Sequence, residues 1–202
     1  MLSPIEILNK TCVMLDSVGA EFWICNGTLL GLVRDQKLIP WDNDLDIAVF
    51  KDSKRTEIIK ALSNAGYELV DDGHGSSYVT FAYFHQKVDI NFFELNEDLL
   101  ESLWQVNKLS GIPGFLTRVL SRIRFAIPRI GFLWELEGYS VPIKYIFPIG
   151  EVAIGSYLFR IPQNAEGVLE HTYGSGWKTP KQNYNWRVEG ANNVKRGKFE
   201  KS

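Results

Sequence analysis

Apolar and polar positions alternate along the chain in two periods. Ser3-Pro4-Ile5-Glu6 combines a capping box with proline at the first helical position, a helix-start signal. Ile7, Leu8, Cys12, Val13, Leu15 and Val18 carry the helical pattern on to Gly19, where a stop is expected. Phe22–Cys25 is an apolar run of strand length that breaks at Asn26-Gly27-Thr28, and Thr28 is expected to cap a short helix through Leu29, Leu30 and Val33 to Arg34. Leu45–Phe50 reads as a second strand, and Ser53 as the cap of a helix from Lys54 to Ala65 that ends at Gly66. Tyr67–Val70, Tyr78–Phe84 and Lys87–Phe93 read as three more strands, the last two joined by a tight turn near His85-Gln86. A strand-plus-helix unit followed by a meander predicts an α+β fold, a mixed sheet flanked by helices.

The second half reads differently. Residues 102–134 contain no Asp or Glu but carry Lys108, Arg118, Arg122, Arg124 and Arg129. Leu116, Val119, Leu120, Ile123 and Ile127 fall on one helical face, so a partly helical basic region is expected here. Two readings stay open: a solvated helix, or weak peripheral docking on anionic headgroups. A strand pair is expected within Glu151–Arg160, a short helix near Ala165–Tyr173, and a frayed polar tail from Asn192. The expected organisation is one catalytic domain over 1–202. It has a core at about 1–95, a variable region at 96–150, a C-terminal element at 151–191 and a flexible tail at 192–202.

Composition narrows the chemistry. The 202 residues are 45% hydrophobic and 23% charged, with net charge −2, so nothing in the overall balance points to nucleic acid. Cys12 and Cys25 lie in apolar stretches without CxxC spacing, and His74, His85 and His171 are scattered, so no zinc set assembles. No basic-then-apolar leader opens the chain, and no uncharged apolar run approaches the roughly 18 residues of a membrane span. A cytoplasmic setting is the expectation.

The candidate chemistry sits in Trp41-Asp-Asn-Asp-Leu-Asp-Ile47. Alternate strand residues point to one face about 6.5–7 Å apart, so Asp42, Asp44 and Asp46 form an acidic row while Leu45, Ile47 and Val49 face the core. Two such charges repel by roughly 2–3 kcal/mol at an effective dielectric near 20. A solvated acidic edge is one reading. A calcium loop is another, but Ile47 stands where that loop needs glycine and Ser53 where it needs the bidentate Glu. Context favours a third: Gly27-Thr28, a short helix, a strand-borne Asp44-Leu-Asp46-Ile, and a further acid in Val88-Asp89-Ile90. Gly27 would admit a phosphate close to the backbone, and Thr28 with the helix N-terminus would donate to it. Asp44, Asp46 and Asp89 would hold Mg²⁺ (or Mn²⁺), with Asp89 also accepting the proton of an attacking hydroxyl.

This arrangement resembles the signature of the nucleotidyltransferase-fold superfamily, which includes polymerase-beta-like enzymes. More closely, Gly27-Thr-Leu-Leu-Gly31-Leu-Val-Arg34, Ile39-Pro40-Trp41 and Asp42-Asn-Asp44-Leu-Asp46-Ile resemble the LicD/fukutin family of phosphotransferases, with Asp89-Ile-Asn-Phe-Phe as its third acidic strand. His171-Thr-Tyr173-Gly174-Ser-Gly-Trp177-Lys-Thr-Pro180 resembles that family's later Tyr-Gly element. The resemblance implies transfer of a phosphorylated alcohol, such as phosphocholine or ribitol or glycerol phosphate, from a cytidine-nucleotide donor to a sugar hydroxyl of a glycan or lipid-linked saccharide. The alternatives are transfer of NMP from NTP, or a non-catalytic module on the same fold. Arg34 is a candidate for bidentate phosphate contact, against an ion pair with Asp35 or Asp42, and Asp42 is placed with Gly27, Thr28 and Arg34 in donor binding. Trp41 reads as a core plug, and Trp177, Tyr184 and Trp186 as packing for the C-terminal segment ahead of stacking on a base or sugar.

Overall fold

The computed structural model describes residues 2–51, 54–73, 77–107, 134–185, 189–190 and 193–197. Helix α1 (Pro4–Ser17) starts at the Ser3/Glu6 capping box as the sequence predicts and leads into β1 (Phe22–Ile24). Helix α2 (Asn26–Arg34) begins three residues earlier than expected. Cys25 is its N-cap and Asn26 turns the chain at φ 47°, so Thr28 lies inside the first turn instead of capping it. Then come β2 (Asp44–Phe50), α3 (Arg55–Asn64), β3 (Glu68–Asp71), β4 (Tyr78–Tyr83) and β5 (Gln86–Asn96). Lys54, in the left-handed conformation, is the N-cap of α3, and Ser53 lies outside the described residues.

Of the 96–150 region, expected to be partly helical, the structure describes the two ends. They contribute strands β6 (Leu99–Asn107) and β7 (Trp134–Pro142), paired antiparallel from end to end, then the one-turn helix α4 (Ile143–Ile146). The apolar face at 116–127 and its arginines lie outside the described residues. A two-stranded sheet, β8 (Ile149–Ile154) with β9 (Tyr157–Pro162), and α5 (Ala165–Tyr173) stand where they were read. The tail does not fray throughout: β10 (Asn193–Gly197) pairs antiparallel with β7. Its polar sequence hides a strand because the ladder bonds are made by backbone, whatever the side chains.

The large sheet runs β1-β2-β5-β6-β7-β10, with β4 and then β3 also attached through β5. β2 and β5 are parallel, and the remaining pairs are antiparallel. The register sorts the side chains into two faces. Leu45, Ile47 and Val49 of β2 stand beside Val88, Ile90 and Phe92 of β5, and Val79 and Phe81 of β4 join them. All are buried, and the cluster they belong to includes Leu8 and Leu15 of α1 and Ile58 and Leu62 of α3. Tyr67 ties this layer together: its ring meets Phe81 edge-on, and its hydroxyl shares a 2.8 Å hydrogen bond with Thr11. The opposite face changes character along the strands. Beyond Ala48 it is aromatic, with Trp23, Phe50, Phe93 and Phe147 in mutual ring contact. Before Ala48 it is acidic.

Gly31 fixes the loop into that acidic end. A β-carbon there would stand 2.7 Å from the Lys37 carbonyl oxygen and 3.0 Å from the Ile39 amide nitrogen. Backbone cannot yield as a flexible side chain can, so Gly31→Ala is expected to cost about 1–3 kcal/mol in urea unfolding; an unchanged midpoint would contradict this packing. The cysteines test the core. Both are free and buried, and burial pushes the Cys12 thiol up to about 12 and Cys25 well above its ordinary value. Neither is a thiolate at neutral pH, so dithionitrobenzoate should label neither in the native protein and both in urea. Rapid native labelling of either would show that its helix or strand is misplaced.

Candidate active site

The parallel pairing of β2 with β5 sets Asp46 directly beside Asp89 and Asp44 beside Lys87. Side chains adjacent across a sheet share a face, so the three carboxylates and the ammonium project together. On the other flank of β5, Thr80 of β4 is opposite Asp89, and its hydroxyl donates to Asp89 Oδ1 at 2.6 Å. Lys87 Nζ donates to Asp89 Oδ2 at 2.5 Å and to Asp44 Oδ2 at 3.2 Å, so those two oxygens lie within two hydrogen-bond lengths of each other.

Asp46 is the most confined, at 9% exposure. Its Oδ1 receives only long bonds from the Asn26 and Asn91 amides, 3.5 and 3.4 Å. No ammonium or guanidinium of a described residue pairs with it. Burial holds its carboxyl well above the ordinary range, with repulsion from Asp44, Asp89 and Asp42 adding to the effect. Asp42 is raised to about 7 by burial and by its contact with the Asp44 carboxyl group.

Thr28 holds the strand in place. β1 ends its pairing at Ile24 opposite Ile47. Past that point, Cys25 N–H donates to the Asp46 carbonyl and Thr28 Oγ1 accepts the Asp46 N–H at 2.8 Å. The start of α2 thus continues the ladder with a side chain. Thr28 is buried and carries this bond, so the structure places it under the acidic strand and not at the cleft surface expected of a phosphate donor. Gly27 leaves the Asp42 carboxylate its place: a β-carbon there would lie 2.2 Å from Asp42 Oδ2 and displace it. Arg34 takes the ion-pair alternative, making a bidentate bond to Asp35 at 2.9 and 2.7 Å while bordering the cleft.

These residues floor a cleft of about 1050 Å³. One wall carries Val70, Asp71 and Tyr78; the other carries Tyr139, Tyr173, Trp177 and Tyr184. Trp41 is 40% exposed and borders the cleft, so it is not the core plug expected. Trp177 is buried yet borders the cleft, and Trp186 lies outside the described residues. The Tyr173 and Tyr184 rings approach to 5.1 Å. Tyr184 Oη is buried without a hydrogen-bond partner among the described residues, an arrangement folded proteins seldom leave unfilled. Burial, followed by the field of Asp46, holds the Tyr139 and Tyr173 phenols protonated. Of these residues, Lys87 was within reach of sequence reading, being two positions from Asp89 on the same strand. Asn91, two positions beyond Asp89, shares that reach, Thr80 follows from the β4–β5 hairpin, and Tyr139 depends on long-range pairing.

The donor set suits a hard divalent cation: three carboxylates on one face, one of them buried without a cationic partner among the described residues. It is not a closed cage. Among the described residues, no three acidic, His or Cys side chains gather tightly enough to surround an ion, since Asp44 and Asp89 turn toward Lys87.

The fold is that of nucleotidyltransferases. ANT(2'')-Ia, solved in complex with adenylyl-2''-tobramycin, aligns at TM-score 0.51 and 11% identity over 91% of this chain and 82% of that one. The lincosamide adenylyltransferase LnuA aligns at 0.50 and 12%, over 85% and 87%. Residues 19–164 match the family LicD/FKTN/FKRP, nucleotidyltransferase domain, and the chain belongs to that family. Ribitol-5-phosphate transferase FKTN of Mus musculus is 26% identical over 188 residues, 90% of this chain and 34% of the relative. Ribitol 5-phosphate transferase FKRP of the same organism is 21% identical over 168 residues, 81% and 29%. The chain therefore spans about a third of the length of these curated relatives.

Raised carboxyls make stability depend on pH with a definite sign. A folded pKa above the unfolded value means the native state binds more protons, so stability falls as pH rises between the two. With chelator present, melting temperature should fall from pH 4 toward 7 as Asp42 and Asp46 lose their protons. Asp46→Asn should flatten this fall and melt a few degrees higher near neutrality. A steeper fall in the variant would mean Asp46 is not the strained group.

Proposed function

We propose that this domain transfers a phosphorylated alcohol from a cytidine-nucleotide donor to a sugar hydroxyl of a glycan or lipid-linked saccharide, with Asp44, Asp46 and Asp89 as its catalytic residues and Mg²⁺ or Mn²⁺ as cofactor. The observation that carries the reading is the side-by-side placement of Asp46 and Asp89 at the floor of a large cleft. The ribitol-phosphate transferases among the relatives support the class of group moved.

In this reading Asp44, Asp46 and Asp89 would hold the cation. When bound, it supplies charge neutralisation for phosphate oxygens and for the departing nucleotide. Asp89 accepts the proton of the attacking hydroxyl, and the Thr80 hydroxyl fixes the orientation of that carboxylate. The hydroxyl oxygen bonds to the phosphorus bearing the alcohol, the bond to the cytidine phosphate breaks, and CMP leaves. Gly27 leaves room for Asp42 and the donor beside the start of α2. Arg34, neutralised in part by Asp35, and Asp42 flank the donor side. The aromatic wall of Tyr173, Trp177 and Tyr184 offers ring faces to base or sugar.

Donors labelled separately in the alcohol and in cytidine, CDP-ribitol and CDP-choline, test the reading with Mg²⁺ and a saccharide acceptor. Alcohol label on the acceptor with release of CMP is expected. Cytidine label on the acceptor, or pyrophosphate release from CTP, would assign NMP transfer instead. Neither, together with no cation binding, would leave a non-catalytic module. Asp46→Asn and Asp89→Asn should each lower turnover by at least about 10²-fold. Turnover within threefold of the unsubstituted protein would exclude that residue from the chemistry.

A further inference from the structure

Lys87 has no place in the reaction as derived, yet it stands at the centre of the acidic face. It is opposite Asp44 in the β2–β5 register and two residues before Asp89 on the same strand, so backbone geometry aims it at both. Its ammonium bridges the two carboxylates at 3.2 and 2.5 Å. The side chain remains 46% exposed at the mouth of the cleft. A four-carbon stem with its head in solvent can swing away at little cost.

We propose that Lys87 is the internal counter-ion of the site, neutralising Asp44 and Asp89 until a divalent cation displaces it, so that lysine and cation compete for the same oxygens. The inference rests on the metal reading above and deepens it. Two carboxylates at this separation need a positive partner, and only one can lie between them. An ammonium left there would repel an arriving dication and hold two of its ligands. Competition keeps the carboxylates together in the empty site at the expense of cation affinity. It also makes the ammonium available, once displaced, to phosphate oxygens entering with the donor.

The test is Mn²⁺ binding followed by calorimetry without nucleotide, in the unsubstituted chain and in Lys87→Met, Lys87→Gln and Lys87→Arg. Lys51→Met serves as control, since Lys51 pairs with Glu94 outside the cleft. Removing the charge should tighten Mn²⁺ binding roughly tenfold in both neutral variants, by lifting two ion pairs and one repulsion. Lys87→Arg and Lys51→Met should stay near the unsubstituted value. Having two neutral variants guards against one failing to fold, which circular dichroism would reveal. If Mn²⁺ binds the unsubstituted chain and both neutral variants equally, or binds the variants more weakly, Lys87 is no competitor and the proposal is overturned while the metal reading stands. If Lys87→Arg tightens as much as Lys87→Met, charge is not the cause and the proposal also goes. If neither the unsubstituted chain nor any variant binds Mn²⁺, the metal reading fails and takes this one with it.

Discussion

A parallel strand pair that sets a buried aspartate beside another aspartate is a cost the fold carries permanently. Asp46 and Asp89 are neighbours because β2 and β5 run in the same direction in a fixed register. That register is over-determined by the opposite face, where Leu45, Ile47 and Val49 mesh with Val88, Ile90 and Phe92. A slip of one residue would turn the acids into the core and the core into water, at a cost far above the repulsion it relieved. Hydrophobic packing thus holds an electrostatic arrangement that the acids alone would disperse. Much of the surrounding polar structure serves that strain: Thr28 anchors the Asp46 backbone, Thr80 orients Asp89, and Lys87 spans the gap.

Much of this could be read from local sequence. The capping box, the alternation in β2 and the acid on a later strand each follow from spacing within a few residues, and they placed Asp44, Asp46 and Asp89 on one face. What escaped reading was non-local. Strands β6, β7 and β10 exist through pairing across long sequence separations, which local periodicity does not report. Trp41 borders the cleft from the loop between α2 and β2, where Gly31 packs closely on the Lys37 and Ile39 backbone, a contact invisible in periodicity. Thr28 shows the subtler limit. A threonine after glycine at a helix start was read as a ligand for phosphate, but strand β1 ends one residue too soon to pair Asp46, and the hydroxyl fills that place.

Fold and family contribute different things. The likeness to ANT(2'')-Ia and to the adenylyltransferase LnuA, at about a tenth identity, speaks to architecture alone. An acidic row on a two-faced sheet can serve attack at more than one phosphorus of a nucleotide, since the same carboxylates neutralise whichever phosphate is seated among them. In the proposed reading, the choice between moving nucleotide and moving phosphorylated alcohol falls to the walls of the cleft, to the residues that would seat the leaving group. The aromatic wall from α5 onward and the β3–β4 wall with Asp71 and Tyr78 are where this chain is free to specify its substrates.

The central claim is that the buried acidic pair exists to hold a divalent cation. Anomalous diffraction from crystals soaked in Mn²⁺ tests it most directly. The account predicts a single strong peak in contact with carboxylate oxygens of Asp46 and Asp89, with the Lys87 ammonium withdrawn from at least one of its partners. A peak elsewhere on the molecule, or an unaltered Lys87 bridge in well-ordered density with no peak at millimolar Mn²⁺, would contradict it.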